Sequence, residues 1–498
     1  MIRFQGANTK LCDGLSRRDW LQLGGLGAFG LSLSDWFRLT ESQAAADRPH
    51  AAKAKSCILI FLYGSPPQHE TFDPKPDAPA EIQGELKEIP TILPGVAIGE
   101  LLPKTAQILD KTTIVRSLTH PYPLHGLAYA VTGMVDYTPA IEFSPRDKMH
   151  WPYIGSVVDY LAEQQRPGEL PDIPRNIGLP WLPGSKCDIS PLAGPYSAFL
   201  GTAYDPVWTD FTGKGTTVVP KLTDGQTKEV YDPFGGITPD GKFQLSADCE
   251  LRDGVSAERF GMRRRLLEQF DDTRREWDRI ANTTTYDNHQ SKAYSLLSSG
   301  VLRQAIDVQQ ETAAMREAYG LTLFGQSCLA ARRLVEAGGK FISVFWDPFD
   351  PFGGSAWDTH ANHYPRLKEY LLPNFDTSYS MLIRDLDDRG LLDETLVLCL
   401  SEHGRTPQID SKPKGAGRHH WSRAYSAILA GGGISRGSVV GRTDAIAGDV
   451  AAVPISPKDI LATAFHLMGI DPHTTVPDQL NRPMPIAGAG TLRRELLV

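Results

Sequence analysis

Short apolar runs recur along this chain, and most of them end in an abrupt burst of polar residues. Residues 55–63, 112–116, 341–346, 395–400 and 424–430 are such runs. They are short and rich in Val, Ile, Leu and Phe, so each reads as a buried strand. Between them lie 101–109, 124–133, 154–162, 326–338, 370–389 and 457–468, where apolar positions recur with a helical period. These predict amphipathic helices, with Gly133 and the Gly338-Gly339 pair as natural stops. Strands alternating with helices predict an α/β fold: one doubly wound, mostly parallel sheet with helices on both faces. Residues 53–498 read as a single domain of this kind. Two segments break the rhythm. Residues 165–255 loosen into Pro, Gly, Thr and Asp, and read as a loop-rich insertion packed over the sheet. Residues 257–320 are charged with a helical period, and their Arg runs read as solvated helix faces.

The first 46 residues read as an address rather than as fold. Arg17-Arg18 leads into a mildly apolar, Gly-rich stretch at 22–33, and Ala44-Ala45-Ala46 offers small residues for cleavage. This pattern resembles a twin-arginine export leader, which predicts a periplasmic or extracellular protein. Its apolar part is too short to span a bilayer, and no transmembrane span is expected in the mature chain.

Composition narrows the partners. A formal net charge of −8, with no Lys/Arg stripe, argues against nucleic acid. The 37 prolines and 46 glycines point to long ordered loops. The cysteines, at 12, 57, 187, 249, 328 and 399, never fall in a CxxC spacing, which argues against a thiolate zinc site. Cys57 and Cys399 sit inside apolar runs and are expected in the core. Cys187 and Cys249 could pair in an oxidising compartment.

Candidate chemistry gathers where the strands end. In open α/β sheets, ligands bind outside the carboxyl ends of the strands. Four polar clusters follow or flank the expected strands: Gln68, His69, Glu70 and Asp73; Ser117, Thr119, His120 and His125; Asp358, His360 and His363; and Glu402-His403 with Arg418, His419 and His420. Eight of the 13 histidines lie in these loops. Carboxylates and imidazoles are the common ligands of zinc-like divalent ions, and loops at one sheet edge converge in space. Asp358-Thr359-His360 reads equally as an Asx-type turn with an exposed histidine. Only one ring of the His419-His420 tandem is expected to ligate. Arg405 either clamps an anionic substrate or pairs with a carboxylate. Ester hydrolysis at such a site needs a nucleophile near a helix N-terminus, where Ser117 and Thr119 precede the 124–133 segment by several residues.

The sequence resembles the domain of unknown function 1501 family, abundant in planctomycete-type bacteria and placed in the alkaline phosphatase-like superfamily. The resemblance runs over nearly the whole chain. It is carried by the leader, 71–79, Val115-Arg116-Ser117, His125-Gly126, Thr132-Gly133, 324–338, 357–360, 404–407, His420-Trp421 and 430–433. It implies an alkaline phosphatase-like fold holding one or two divalent ions of the zinc, calcium or manganese class. It further implies cleavage of sulfate or phosphate esters, with sulfated polysaccharides as a substrate class. Glu402-His403-Gly404 resembles the superfamily's Asp-His-Gly metal motif, and His420 its late histidine ligand. Asp358 and His360 take the places of its Asp and His ligands, at a spacing of two residues instead of four. Asp73 or Glu70 would join from the first strand, His125 would act as acid or base, and Arg405 would hold the anion. Thr132-Gly133 resembles the end of the sulfatase signature. The Cys-or-Ser-x-Pro-x-Arg part is missing, which argues against a formylglycine-type sulfatase. The alternative expectation is a non-catalytic module on the same fold that binds a glycan or an exported partner protein.

Overall fold

The computed structural model describes residues 52–142, 144–147, 149–166, 171–187, 193–219, 231–245, 262, 300–349, 357–412 and 415–498. Residues 51–498 form one compact unit. The leader, Cys249 and most of 257–299 lie outside the described residues, and so do the expectations placed on them.

Nine strands form the main sheet. In chain order they are β1 Ser56–Leu62, β2 Thr112–Leu118, β3 Asn176–Leu179, β4 Val207–Thr212, β5 Lys242–Leu245, β6 Phe341–Trp346, β7 Thr395–Leu400, β8 Tyr425–Ala430 and β9 Ser438–Val440. Their spatial order is β9-β2-β8-β7-β1-β6-β3-β4-β5. The centre, from β7 to β4, is parallel. β8 runs antiparallel to both of its neighbours, and β5 antiparallel to β4. The sheet is therefore mixed, with a parallel core.

Strand alternation splits the hydrophobic residues between two faces. Along β1, Ile58, Ile60 and Leu62 enter one core cluster, whereas Cys57, Leu59 and Phe61 enter the other. Helices cover both. α3 Leu323–Glu336 and α4 Leu372–Asp388 pack on the first face; α1 Leu127–Val131, α2 Ile154–Gln165 and α5 Pro457–Leu467 pack on the second. The doubly wound α/β expectation holds, and Cys57 and Cys399 are buried in the two cores as expected.

Three expectations are corrected. The described parts of 165–255 do not form an excursion over the sheet, because β3, β4 and β5 all come from them and extend it. β3 is only four residues, Asn-Ile-Gly-Leu, and too short to show a period. The 101–109 segment holds short 3-10 turns at Thr105–Gln107 and Leu109–Lys111, not a helix. The helix expected over 124–133 is confined to Leu127–Val131.

The topology decides where the loops meet. β1, β6 and β7 are parallel, so their carboxyl ends share one edge. β8 is antiparallel to β7, so its amino end reaches that edge too. Tyr425 at the start of β8 pairs with Leu118 at the end of β2, which places residues 119–125 there as well. All four polar clusters thus leave the sheet on the same side.

Candidate metal centre

The centre is assembled from four loops. Glu402 and His403 follow β7, and Gly64-Ser65 follow β1. At Gly64 the backbone has φ of +92°, and a Cβ would collide with the backbone of Asp358, so only glycine lets the loops after β1 and β6 touch. The Gly64 amide donates to Glu402 Oε1 at 2.8 Å, and His125 Nδ1–H donates to the same oxygen at 2.8 Å. His120 supports the same residue from behind. Its Nδ1 accepts the Tyr122 amide at 3.2 Å, so its Nε2–H donates to the Glu402 carbonyl at 2.7 Å.

Three donor atoms lie almost in contact. Asp358 Oδ1 is 2.9 Å from His360 Nε2 and 3.3 Å from His420 Nε2. The two nitrogens are 2.9 Å apart. Ligand atoms about 2.0–2.1 Å from a tetrahedral ion stand about 3.3 Å from one another, so this spacing is close to that of a coordination shell. His125, His403 and His420 form a second triplet, with ligand atoms within 4.8 Å of one another, and His420 belongs to both.

Two buried acceptors of this centre have no hydrogen-bond partner among the described residues: Glu402 Oε2 and His403 Nε2. His403 donates Nδ1–H to the Gly404 carbonyl at 2.8 Å, which fixes its tautomer and leaves a bare lone pair on Nε2. A buried, unpartnered lone pair is costly unless something electrophilic faces it. The donor set and these two orphaned acceptors fit a divalent ion.

The family pattern described as "Protein of unknown function (DUF1501)" matches residues 54–497. The chain belongs to this family. Nothing among curated proteins matches it. Among solved structures, the PsFucS1 sulfatase from Pseudoalteromonas sp. aligns at 11% identity and a TM-score of 0.34, over 86% of this chain and 71% of that one. The lipoteichoic acid synthase LtaP from Listeria monocytogenes aligns at 10% identity and 0.32, over 89% and 76%. The phosphonate monoester hydrolase SpPMH from Silicibacter pomeroyi aligns at 9% identity and 0.30, over 83% and 72%. Likeness at this level says nothing about what the DUF1501 chain does.

Electrostatics set the protonation of the centre. Burial opposes the Asp358 carboxylate, but Arg405, with Nη2 at 2.6 Å, and the surrounding His125, His360 and His420 rings hold its carboxyl well below the usual range. Burial first, then the neighbouring cations, keep His403 neutral, as ligation requires. At His125 burial again disfavours charge, yet hydrogen bonds to Asp358 and Glu402 prevail and raise it to about 9.

The remaining candidates lie apart from the donor atoms. Glu70 is bound by Arg418 Nε at 3.0 Å and Nη2 at 2.6 Å, which hold its carboxyl low against burial. Asp73 accepts from Lys75 Nζ at 3.0 Å and from the Thr443 hydroxyl, and lies 3.6 Å from Arg116 Nε. Arg418 takes Glu70 Oε1, Oε2 lies 3.5 Å from His363 Nε2, and neither Glu70 nor Asp73 is among the potential metal-holding groups. Ser117 is buried inside β2 against Gly441, with no hydrogen-bond partner for its hydroxyl among the described residues. Thr119 lies in the following loop, where its amide donates to Ile455. Arg405 is corrected as well. It is fully buried and donates to the carbonyls of Gly64, Ser65 and Arg418 besides Asp358, so it pairs with a carboxylate rather than offering a face to an anion. Asp358 is buried and His360 is only partly exposed, so the segment is not a turn with an exposed histidine. Sequence reasoning singled out His125 as acid or base; the structure also places it within a donor triplet. The backing role of His120 had no sequence signal beyond its membership of a histidine-rich loop.

Two buried histidines predict an acid limit to stability. Burial lowers His120 to about 4, and burial with Arg418 lowers His69 to about 4. Both values lie below that of an unfolded histidine, near 6.5. The contribution of each is complete above about pH 6.5, falls as the pH drops, and is gone near pH 4. Denaturant titrations of the metal-free protein should show a decline of about 3 kcal/mol per ring over that window. A flat profile between pH 7 and 4 would contradict it.

Proposed function

We propose that this DUF1501 protein is an exported, metal-dependent hydrolase of sulfate or phosphate esters, with sulfated polysaccharides as the candidate substrate class. The observation that carries the reading is the pair of buried acceptors on Glu402 and His403, beside carboxylate and imidazole atoms at coordination spacing. Asp358, His360, His403 and His420 would hold one or two divalent ions of the zinc, calcium or manganese class, with Glu402 Oε2 as a further donor. An ion held there would supply Lewis acidity towards an ester oxygen and offset the charge that builds on it. Glu402 orients His125 through Nδ1–H. The Nε2 side of the ring faces Asp358 Oδ2 at 3.4 Å, and its side chain is 25% exposed, so it can exchange a proton with a group entering from solvent. Export is supported by the Arg17-Arg18 leader. No helix among the described residues is long and apolar enough to cross a membrane.

The test is the metal content of protein exported in a twin-arginine-competent host. One or two tightly held divalent ions per chain are expected, together with turnover of aryl sulfate or aryl phosphate esters that a chelator abolishes. A stable, metal-free protein whose melting temperature is unmoved by zinc, calcium or manganese would overturn the reading. It would favour a glycan- or protein-binding module on the same scaffold.

A further inference from the structure

We propose that Asp410 and His419 are an outer positioning pair that fixes His360 as a metal donor. The proposal rests on reading the cluster as a metal centre. Its geometry is a chain of three contacts running from a half-exposed carboxylate to the centre. Asp410 Oδ2 lies 3.0 Å from His419 Nε2, and His419 Nδ1 lies 2.7 Å from His360 Nδ1. His360 Nε2 then faces Asp358 Oδ1 at 2.9 Å and His420 Nε2 at 2.9 Å.

Hydrogen-bond direction along this chain is determined from its outer end. A carboxylate accepts, so His419 places its proton on Nε2 and donates it to Asp410. Its Nδ1 is then an acceptor and takes the proton on His360 Nδ1. That leaves the His360 lone pair on Nε2, the atom that belongs to the donor set. Ligating histidines commonly have their second nitrogen held by a carboxylate or carbonyl, which fixes the tautomer and the ring plane. Here the carboxylate acts through an intervening imidazole.

The backbone is built to hold this ring in place. The His419 amide donates to Thr406 Oγ1 at 3.0 Å, and the Thr406 amide donates back to the His419 carbonyl at 2.8 Å. One residue earlier, the Arg418 amide donates to the Thr359 carbonyl at 3.1 Å, tying this strand to the loop that carries His360. Asp410 pairs with Gly417 across a short antiparallel ladder. A Cβ at Gly417 would overlap the His360 carbonyl, so glycine is what lets the ladder close onto His360. The His419-His420 tandem thus divides its labour: His420 turns towards the donor atoms, and His419 braces the neighbouring ligand.

The experiment titrates zinc against a competing chelator on the full-length protein and five variants. His419→Phe keeps the ring volume but removes the acceptor, and Asp410→Ala removes the outer carboxylate. Each is expected to weaken zinc binding ten- to a hundredfold, with the metal-free melting temperature close to that of wild type. His419→Asn restores an acceptor near the Nδ1 position and should recover part of the loss. The double variant Asp410→Ala/His419→Phe should be no weaker than His419→Phe alone, because Asp410 acts through His419. Wild-type affinity in His419→Phe, or additive losses in the double variant, would overturn the pair while leaving the metal centre intact. A wild-type protein that binds no zinc, or a His360→Ala variant that binds it as tightly as wild type, would overturn the centre itself and the pair with it.

Discussion

Arg405→Ala is expected to cost about 3–5 kcal/mol of folding stability, the range for removing one partner of a buried ion pair. The guanidinium is fully buried and lies 2.6 Å from Asp358 Oδ1. Its other donors meet the carbonyls of Gly64, Ser65 and Arg418. Truncation leaves a carboxylate facing burial without its cation, and three carbonyls without a donor. Arg405→Lys should not rescue the loss, since one ammonium cannot reproduce a planar fork that reaches three loops. Replacing Arg405 also removes the charge that most strongly holds the Asp358 carboxyl low, so proton uptake by Asp358 should begin at higher pH than in wild type. Urea titrations at unchanged slope give the measurement. A change below about 1 kcal/mol, as for a surface pair, would show that Arg405 does not hold the centre together.

The layout of the fold was legible because its central strands are buried on both faces and therefore read as unbroken apolar runs. β1, β6 and β7 coincide with such runs almost residue for residue. β3 and β5 escaped notice because four residues cannot display a period, and β3 carries a glycine. The orientation of β8 had no signature, since an apolar six-residue run looks the same in either direction.

Convergence of the four polar clusters followed from topology alone: parallel strands must end together. Which residue of each cluster faces the centre did not follow. Asp73 and Glu70 have the right chemistry and the right strand, yet Arg116, Lys75, Thr443 and Arg418 claim them. Competition by cations distant in sequence is invisible in a linear reading. The two readings of Arg405, anion clamp or carboxylate partner, could be separated only by its burial. The tandem His419-His420 reads as one ligand and one structural ring, and the structure sets the two rings against opposite nitrogens of His360.

Glu402→Gln and His403→Phe should separate metal binding from folding. In the metal-free protein the Glu402 Oε2 and His403 Nε2 lone pairs are buried without a hydrogen-bond partner among the described residues, so losing them removes little that holds the fold together. The phenyl ring keeps most of the His403 volume and gives up one hydrogen bond, to Gly404. The amide keeps an oxygen for the Gly64 and His125 donors. Metal-free stabilities within about 2 kcal/mol of wild type are therefore expected. The contrast comes on adding metal. A ligand at a thousandfold excess over its dissociation constant stabilises the native state by about 4 kcal/mol. Wild type should show a gain of that order with zinc, and both variants should lose most of it together with ester turnover. Thermal melts in chelator and in excess zinc make the comparison on the same samples. If either variant gains as much from zinc as wild type does, that residue is not a donor. If both do, the ion, wherever it binds, is not held by the end of β7.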